Sequence, residues 1–344
     1  MYMMKCVLTT ILGILVLIQV QGKSVCSLAG EVQFGEEGEC VPMDAAAAEA
    51  TAWLRARVPT WDKENMMTLF GTPAGVDGLD TGLVTVGVNA SLHAKVDYPW
   101  ARGVDRDVWY DYNLPYASVN EARSNWRPLL RQQVDPLLDG LRTGGWEDAS
   151  VEAVVEVVNA NMWSVLAPSG TDDIWFNAGS TPLVFDPMSV MQYGYASCTG
   201  ISLLFVDALK SVGVCARLAG TPAWHGSKQN GNHNWIEVFN PDTRQWGILE
   251  GQPAGGGESL QDPCSVWFCN PDSFPYGPNS TAVYAARYDR VDADTYYRMS
   301  WDPSNMQVPG VDRTEWYRQM CAACGTTEGS AERRAAPPLP GRHC

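Results

Sequence analysis

The apolar and polar positions from Tyr195 to Pro253 carry the strongest pattern in the chain. After Ser197-Cys198-Thr199-Gly200, apolar residues recur at Ile201, Leu204, Phe205, Ala208, Leu209 and Val212, the spacing of one helix face. Leu203 and Val206 extend the run to the other faces, which predicts a helix buried at the protein's centre. Ser197 and Thr199 are helix-capping types at its start, and Gly213 is a typical stop. From His233 to Phe239 the pattern switches to a strand, with odd positions on one face and even positions on the other. Asn240-Pro241-Asp242-Thr243 then reads as a type I turn joining a second strand. That loop pairs Phe239 with Arg244, and counting back along both strands sets His233 opposite Glu250.

Elsewhere the periodicity predicts helices. Asp44 caps one through AAAAEATAWLRARV, ended by Pro59. Ser118-Val-Asn-Glu121 is a capping box that opens a helix toward Arg142, kinked or divided by Pro128 and Pro136. Ser150 starts another, with Val154, Val157, Val158, Asn161 and Met162 at helical spacing. Residues 71 to 82 form an Asp/Gly-rich loop whose spacing fits no calcium motif.

Three groups in the patterned stretch suggest chemistry. Cys198 falls in the first turn of its helix, where unpaired backbone N–H groups favour an anion and lower a thiol's pKa. His233 begins a strand, and Glu250 closes the next one. A thiol, a base and an orienting acid in that order suit acyl transfer. Cys198, His225 and His233 lack the tight ligand pair of a metal site, so neither metal nor cofactor is expected.

The segments SCTGIS, VGVCARLAGTPAW and GNHNWIEVF, with Trp246 four residues before Glu250, resemble the transglutaminase-like superfamily of papain-like enzymes. Within it, the resemblance is closest to secreted bacterial and algal proteins with such a domain. YNLPYASVNEARSNWRP and residues 283 to 317 resemble the segments flanking the family's core, so the similarity covers roughly residues 50 to 317. It implies an α+β fold, with a buried cysteine-bearing helix on an antiparallel sheet that carries the histidine and the acid. By motif, Cys198 matches the nucleophile, His233 the base and Glu250 the orienting acid. Glu stands where the superfamily most often has Asp, and Gln252 competes for that position. Gln192, six residues before the cysteine, matches a papain-like oxyanion donor, beside the N–H of Cys198, with a surface-loop glutamine the other reading. Trp235 and His225 are candidates for the substrate pocket, with packing alone the other reading of Trp235.

Composition sets the compartment and the partners. The chain has 344 residues, 45% of them hydrophobic, enough for a substantial core. A formal net charge of −15 argues against nucleic acid and anionic membranes. Residues 1–22, with Lys5 and an apolar run from Val7 to Val20, read as a signal peptide too short to span a bilayer. Its removal takes Cys6 and leaves nine cysteines, an odd number that suits a free Cys198 among disulfides. Cys26/Cys40 and Cys264/Cys269 are plausible local pairs, Cys321 and Cys324 form another or half a metal site, and Cys215 reads as a buried thiol. Asn89-Ala-Ser91 and Asn279-Ser-Thr281 are glycosylation sequons.

The expected organisation is a mainly helical region over 23–149 packed on the core. A transglutaminase-like core with its extension covers 150–320, and a flexible cysteine-containing tail covers 321–344. The expected activity is a secreted cysteine enzyme, a peptidase, amidase or transglutaminase, acting on protein or peptide amides through a thioester. The alternative is an inactive module binding glycan or protein, suggested by 14 tryptophans and the unusual third member.

Overall fold

The computed structural model describes residues 26, 30–35, 38–65, 82–256, 259–260 and 262–324. The signal segment, most of the 71–82 loop, Gly257 and the chain beyond Cys324, with His343, lie outside the described residues.

A short antiparallel hairpin, β1 (Glu31–Gln33) with β2 (Cys40–Pro42), carries the Cys26–Cys40 disulfide and leads into α1 (Met43–Ala56). The helices α2 (Leu83–Asp97), α3 (Arg106–Tyr112), α4 (Trp126–Val134), α5 (Asp139–Gly145) and α6 (Val151–Val165) follow. Next come β3 (Trp175–Phe176), α7 (Pro187–Tyr193), β4 (Tyr195–Ala196) and the central helix α8 (Cys198–Ser211). The strands β5 (Ala216–Thr221), β6 (His233–Asn240), β7 (Gln245–Leu249), β8 (Tyr284–Ala286) and β9 (Gly310–Asp312) form an antiparallel sheet of order β7-β6-β5-β8-β9. The described chain ends in α9 (Thr314–Cys324).

Every residue of α8 is buried, as its all-round apolar pattern predicts. One face of the sheet, with Ala216, Ile236, Val238 and Leu249, shares a core with Ile201, Leu204 and Phe205 of α8. Val154, Val155 and Val158 of α6 and Leu130 of α4 join that core from the other side. Truncating one such side chain, as in Leu204→Ala, removes about 2–5 kcal/mol of stability. The opposite sheet face presents Ala219, Trp235, Ile248 and Ala285 to Trp224, Phe268, Phe274 and Tyr317. This second core is fastened by the Cys264–Cys324 and Cys269–Cys321 disulfides.

Charge is buried on that second face as well. Glu237 on β6 is fully buried; its Oε2 accepts from Nε of Arg217 at 2.8 Å and its Oε1 from Nε of Arg313 at 3.0 Å. Tyr317 donates its hydroxyl to the same Oε1 at 2.9 Å. Burial alone would raise the carboxyl's pKa, but Arg217 and Arg313 outweigh it and hold Glu237 below the usual range.

Several local expectations are corrected. The turn after β6 is Pro241–Arg244, and it pairs Asn240 with Gln245 and Phe239 with Trp246. The register therefore lies two residues from the one expected. Asn240 is the last paired residue, its Oδ1 accepts from the N–H groups of Asp242 and Thr243, and Arg244 takes a left-handed φ of 56°. A slip of two keeps side-chain parity, so Glu250 remains on the face of His233.

The capping box at Ser118 opens no helix. The Glu121 carboxylate does accept from the N–H groups of Ser118 and Val119, but Arg123 reaches Asp62 and the carbonyl of Val119, curling the segment until α4 starts at Trp126. The chain divides at Pro136, where a 3₁₀ turn separates α4 from α5. Helix α1 begins at Met43 with Pro42 as its cap residue, and Asp44 lies in the first turn. On α6, Asn159 and Trp163 are buried while Asn161 is exposed, so the inward face lies about one position from the one read in sequence.

The local pairs Cys264/Cys269 and Cys321/Cys324 do not form. The two helix cysteines, one turn apart on α9, both face the 264–269 segment and bridge to it instead. Residues 321–324, placed in the flexible tail by sequence, are thus the stapled last turn of α9.

Two predictions follow from the buried charges. Glu237→Gln strands two guanidiniums in the second core and should cost about 3–5 kcal/mol in chemical denaturation, against less than about 1 kcal/mol for the exposed Glu315→Gln. Asp207 on α8 is 1% exposed, neither of its carboxyl oxygens has a hydrogen-bond partner among the described residues, and burial pushes its pKa up to about 8 despite nearby Lys210. Between its ordinary value and about 8 the folded chain binds the extra proton, so stability falls as pH rises through that window. Asp207→Asn should remove this slope. Denaturation of both proteins at pH 5 and pH 8.5 should show the variant's relative stability increasing with pH.

Candidate active site

Cys198 is the first residue of α8, delivered by β4, and its N–H precedes the first intrahelical hydrogen bonds. Gly200 is required by close approach: a Cβ there would lie 2.5 Å from Cβ of Ala196 and 2.6 Å from the carbonyl oxygen of Val184. The SCTG signature is therefore partly a packing signature, letting the 184–185 segment lie against the helix start.

His233 opens β6 and is 1% exposed, as is Glu250 immediately after β7. Nε2 of His233 hydrogen-bonds Oε1 of Glu250. Continuing the register sets Glu250 beside Trp235, so it reaches the histidine diagonally rather than from directly opposite. Nδ1 of His233 has no hydrogen-bond partner among the described residues. The ring lies among Trp235, Trp267 and Phe268, with centroids 5.8, 5.3 and 5.8 Å away.

The sulfur of Cys198 meets the neighbouring residue on the strand, Asn234, whose Nδ2 is 3.7 Å away. Cys198 is wholly buried and disulfide-bonded, and none of the described cysteines is its partner. The free thiol among the described residues is instead Cys215, which is buried with its pKa pushed up to about 12 by desolvation. The expectation that Cys198 is the leftover thiol is thus corrected. A sulfur at a helix start is the one most readily drawn into exchange, whereas Cys215 is buried just ahead of β5.

The other candidates are distributed less closely. Gln252 is exposed while Glu250 holds the histidine, and Gln192 is exposed on α7. His225 is exposed in a left-handed conformation, its backbone N–H bonded to the hydroxyl of Thr281. Trp235 touches the His233 ring and is fully buried, with its indole N–H given to Tyr317. Among the described residues, one group has metal-ligand proximity, Cys26, Glu31 and Cys40, and the disulfide there consumes both sulfurs.

Two residues at the site were not singled out in sequence. Asn234 is one. Asn159 on α6 is the other: its Nδ2 donates to the carbonyl of Glu250 at 3.0 Å, and its Oδ1 accepts from the N–H groups of Gln252 and the Trp163 indole. Its place in the valine-rich helix α6, two residues before the Asn161 read onto that face in sequence, was the available signal. It clamps the backbone that carries the acid.

Residues 147–250 match the family model of the transglutaminase-like superfamily. They are a transglutaminase-like domain. The match takes in α6, α8 and β5 to β7 and ends on Glu250 itself. It supports the superfamily rather than the narrower likeness to secreted bacterial or algal proteins. No curated protein matches the chain. Domains of this superfamily are typically cysteine-dependent acyltransferases or peptidases, although members can be inactive. Within the transglutaminase-like domain, Asn159→Ala leaves a carbonyl and two N–H groups without their partner and should cost about 1–3 kcal/mol, read as a lowered denaturation midpoint.

Proposed function

We propose that the chain is a cysteine acyl-transfer enzyme acting on protein or peptide amides, with Cys198 as nucleophile, His233 as base and Glu250 as orienting acid. The observation that carries the reading is the buried hydrogen bond between Nε2 of His233 and Oε1 of Glu250, inside a transglutaminase-like domain whose central helix begins at Cys198. A carboxylate bonded to one ring nitrogen fixes the tautomer, stabilises the imidazolium and leaves the other nitrogen for a thiol's proton.

The active form has Cys198 reduced. Its thiolate attacks the amide carbonyl carbon, forming the S–C bond, and the carbonyl oxygen becomes an oxyanion that accepts from the N–H of Cys198. Imidazolium His233 protonates the amine as the C–N bond breaks, leaving a thioester. Water or an amine then attacks the thioester, loses its proton to His233 and releases the thiol. Hydrolysis is favoured, since no motif marks an amine site or calcium dependence. The exposed rings of Trp175 and Tyr193, either side of Tyr195, offer an apolar surface to an acyl side chain close to the start of α8. Secretion belongs to the same reading and draws support from the disulfides and the apolar leader.

One observation favours an inactive binding module: the disulfide at Cys198, if it is permanent, removes the nucleophile. The two readings separate in one experiment. After mild reduction, the full-length protein should release amine from peptide or glutamine-amide substrates. Cys198→Ala should abolish turnover, and His233→Ala should lower kcat/KM by at least about 10²-fold. Unchanged turnover in Cys198→Ala, or none in the reduced wild type across the substrate panel, would refute the enzyme reading.

A further inference from the structure

Asn234 follows His233 on β6 and therefore points to the opposite face of the sheet, toward α8. It is 5% exposed and engaged on both ends of its amide. Nδ2 donates to Oγ1 of Thr199 at 2.8 Å and approaches Sγ of Cys198 at 3.7 Å. Oδ1 accepts from the hydroxyl of Tyr297, which is 1% exposed. The fold makes room for this arrangement. Gly220 is paired with Asn234 across β5 and β6, and a Cβ there would fall 2.4 Å from Oδ1 of Asn234 and 2.9 Å from the Tyr297 hydroxyl.

We propose that Asn234 is a positioning residue for the nucleophile: its amide, fixed from behind by Tyr297, presents N–H donors to the sulfur of Cys198 and the hydroxyl of Thr199. The orientation of the amide has a physical cause. Burial keeps the Tyr297 hydroxyl protonated, so it can donate to Oδ1, and with Oδ1 so engaged the NH₂ group faces α8. Reversing the amide would set a carbonyl oxygen against a thiolate. With the NH₂ group inward, the N–H adds to the positive end of the helix and favours the anionic sulfur. Ser202, one turn further along α8, donates its hydroxyl to the backbone carbonyl of Asn234, which holds the strand in register with the helix start.

This inference deepens the enzyme reading and rests on it. It also extends the site beyond residues 147–250, because Tyr297 lies outside the matched domain. The test is the pH dependence of Cys198 alkylation by iodoacetamide in the full chain. Cys198 is first reduced under conditions that leave Cys264–Cys324 and Cys269–Cys321 intact, and modification is followed by mass spectrometry of the Cys198 peptide. Asn234→Ala should move the midpoint of the pH–rate profile up by about one unit, a roughly tenfold slower reaction below both midpoints. Tyr297→Phe should shift it in the same direction by less. Asn234→Asp keeps the side-chain shape, so it serves if the alanine variant does not fold, and its charge should give the largest upward shift.

A purely structural role would slow labelling without moving the midpoint. Fast labelling in wild type with unchanged midpoints in Asn234→Asp and Tyr297→Phe would overturn the assignment of Asn234 alone. Wild-type labelling no faster than a cysteine peptide, and indifferent to His233→Ala, would overturn the enzyme reading and this inference with it.

Discussion

A helix buried on every side must have each of its polar groups answered by the surrounding protein, and α8 is such a helix. Its C-terminal carbonyls are met by the N-terminal region. Asn113 and Arg127 donate to the carbonyl of Lys210, the Trp100 indole donates to that of the cap residue Val212, and Asn113 also reaches Val214 just beyond the helix. Those partners explain why the segment ahead of the transglutaminase-like domain packs against it: its side chains terminate the domain's central helix. Asp207 is the exception, with Lys210 near but neither oxygen hydrogen-bonded, which is why the carboxyl favours its proton. The opposite end of α8 begins with N–H groups that lie ahead of the intrahelical ladder, and Cys198 stands among them.

The sheet divides the chemistry between its two faces. Asn234 looks toward α8 and its sulfur, while His233 looks toward the aromatic second core and Glu250. The histidine's surroundings are consequently made by distant parts of the chain: Trp267 and Phe268, held in place by disulfides to α9. Tyr317 of α9 continues that support by bonding Glu237 and Trp235 on the same strand as His233. A cavity lined by Ser118, Lys210, Arg217 and Arg287 has about 10 Å³ of space, room for one water, and lies at the other end of α8. It contributes packing rather than a substrate site.

What the sequence disclosed depended on how local the cause was. Helix α8, strand β6 and the shared face of His233 and Glu250 follow from periodicity and parity, which survive a two-residue error in register. The error came from one residue, because Asn240 serves both as a ladder position and as the acceptor that shapes the turn. The failed helix at Ser118 shows the converse: the capping hydrogen bonds to Glu121 form, yet Arg123 and Asp62, 61 residues apart, override the local preference. Asn159, Asn234 and the disulfide pattern were equally illegible, since each depends on partners brought together only by the fold.

The state of Cys198 ties these strands of argument together. Unpaired N–H groups at a helix start and a nearby amide stabilise a thiolate, and a thiolate is the form that attacks both carbonyl carbon and disulfide sulfur. The same electrostatics stabilises the released thiolate, so a disulfide at this position is the more readily reduced one. What separates an acyl-transfer site from a permanently closed one is whether the sulfur can be released while the two staples behind His233 hold. Those staples close loops of 52 and 60 residues and bury their sulfurs in the second core, which favours their survival under mild reductant. Selective release of Cys198 ahead of those staples is then the expected order.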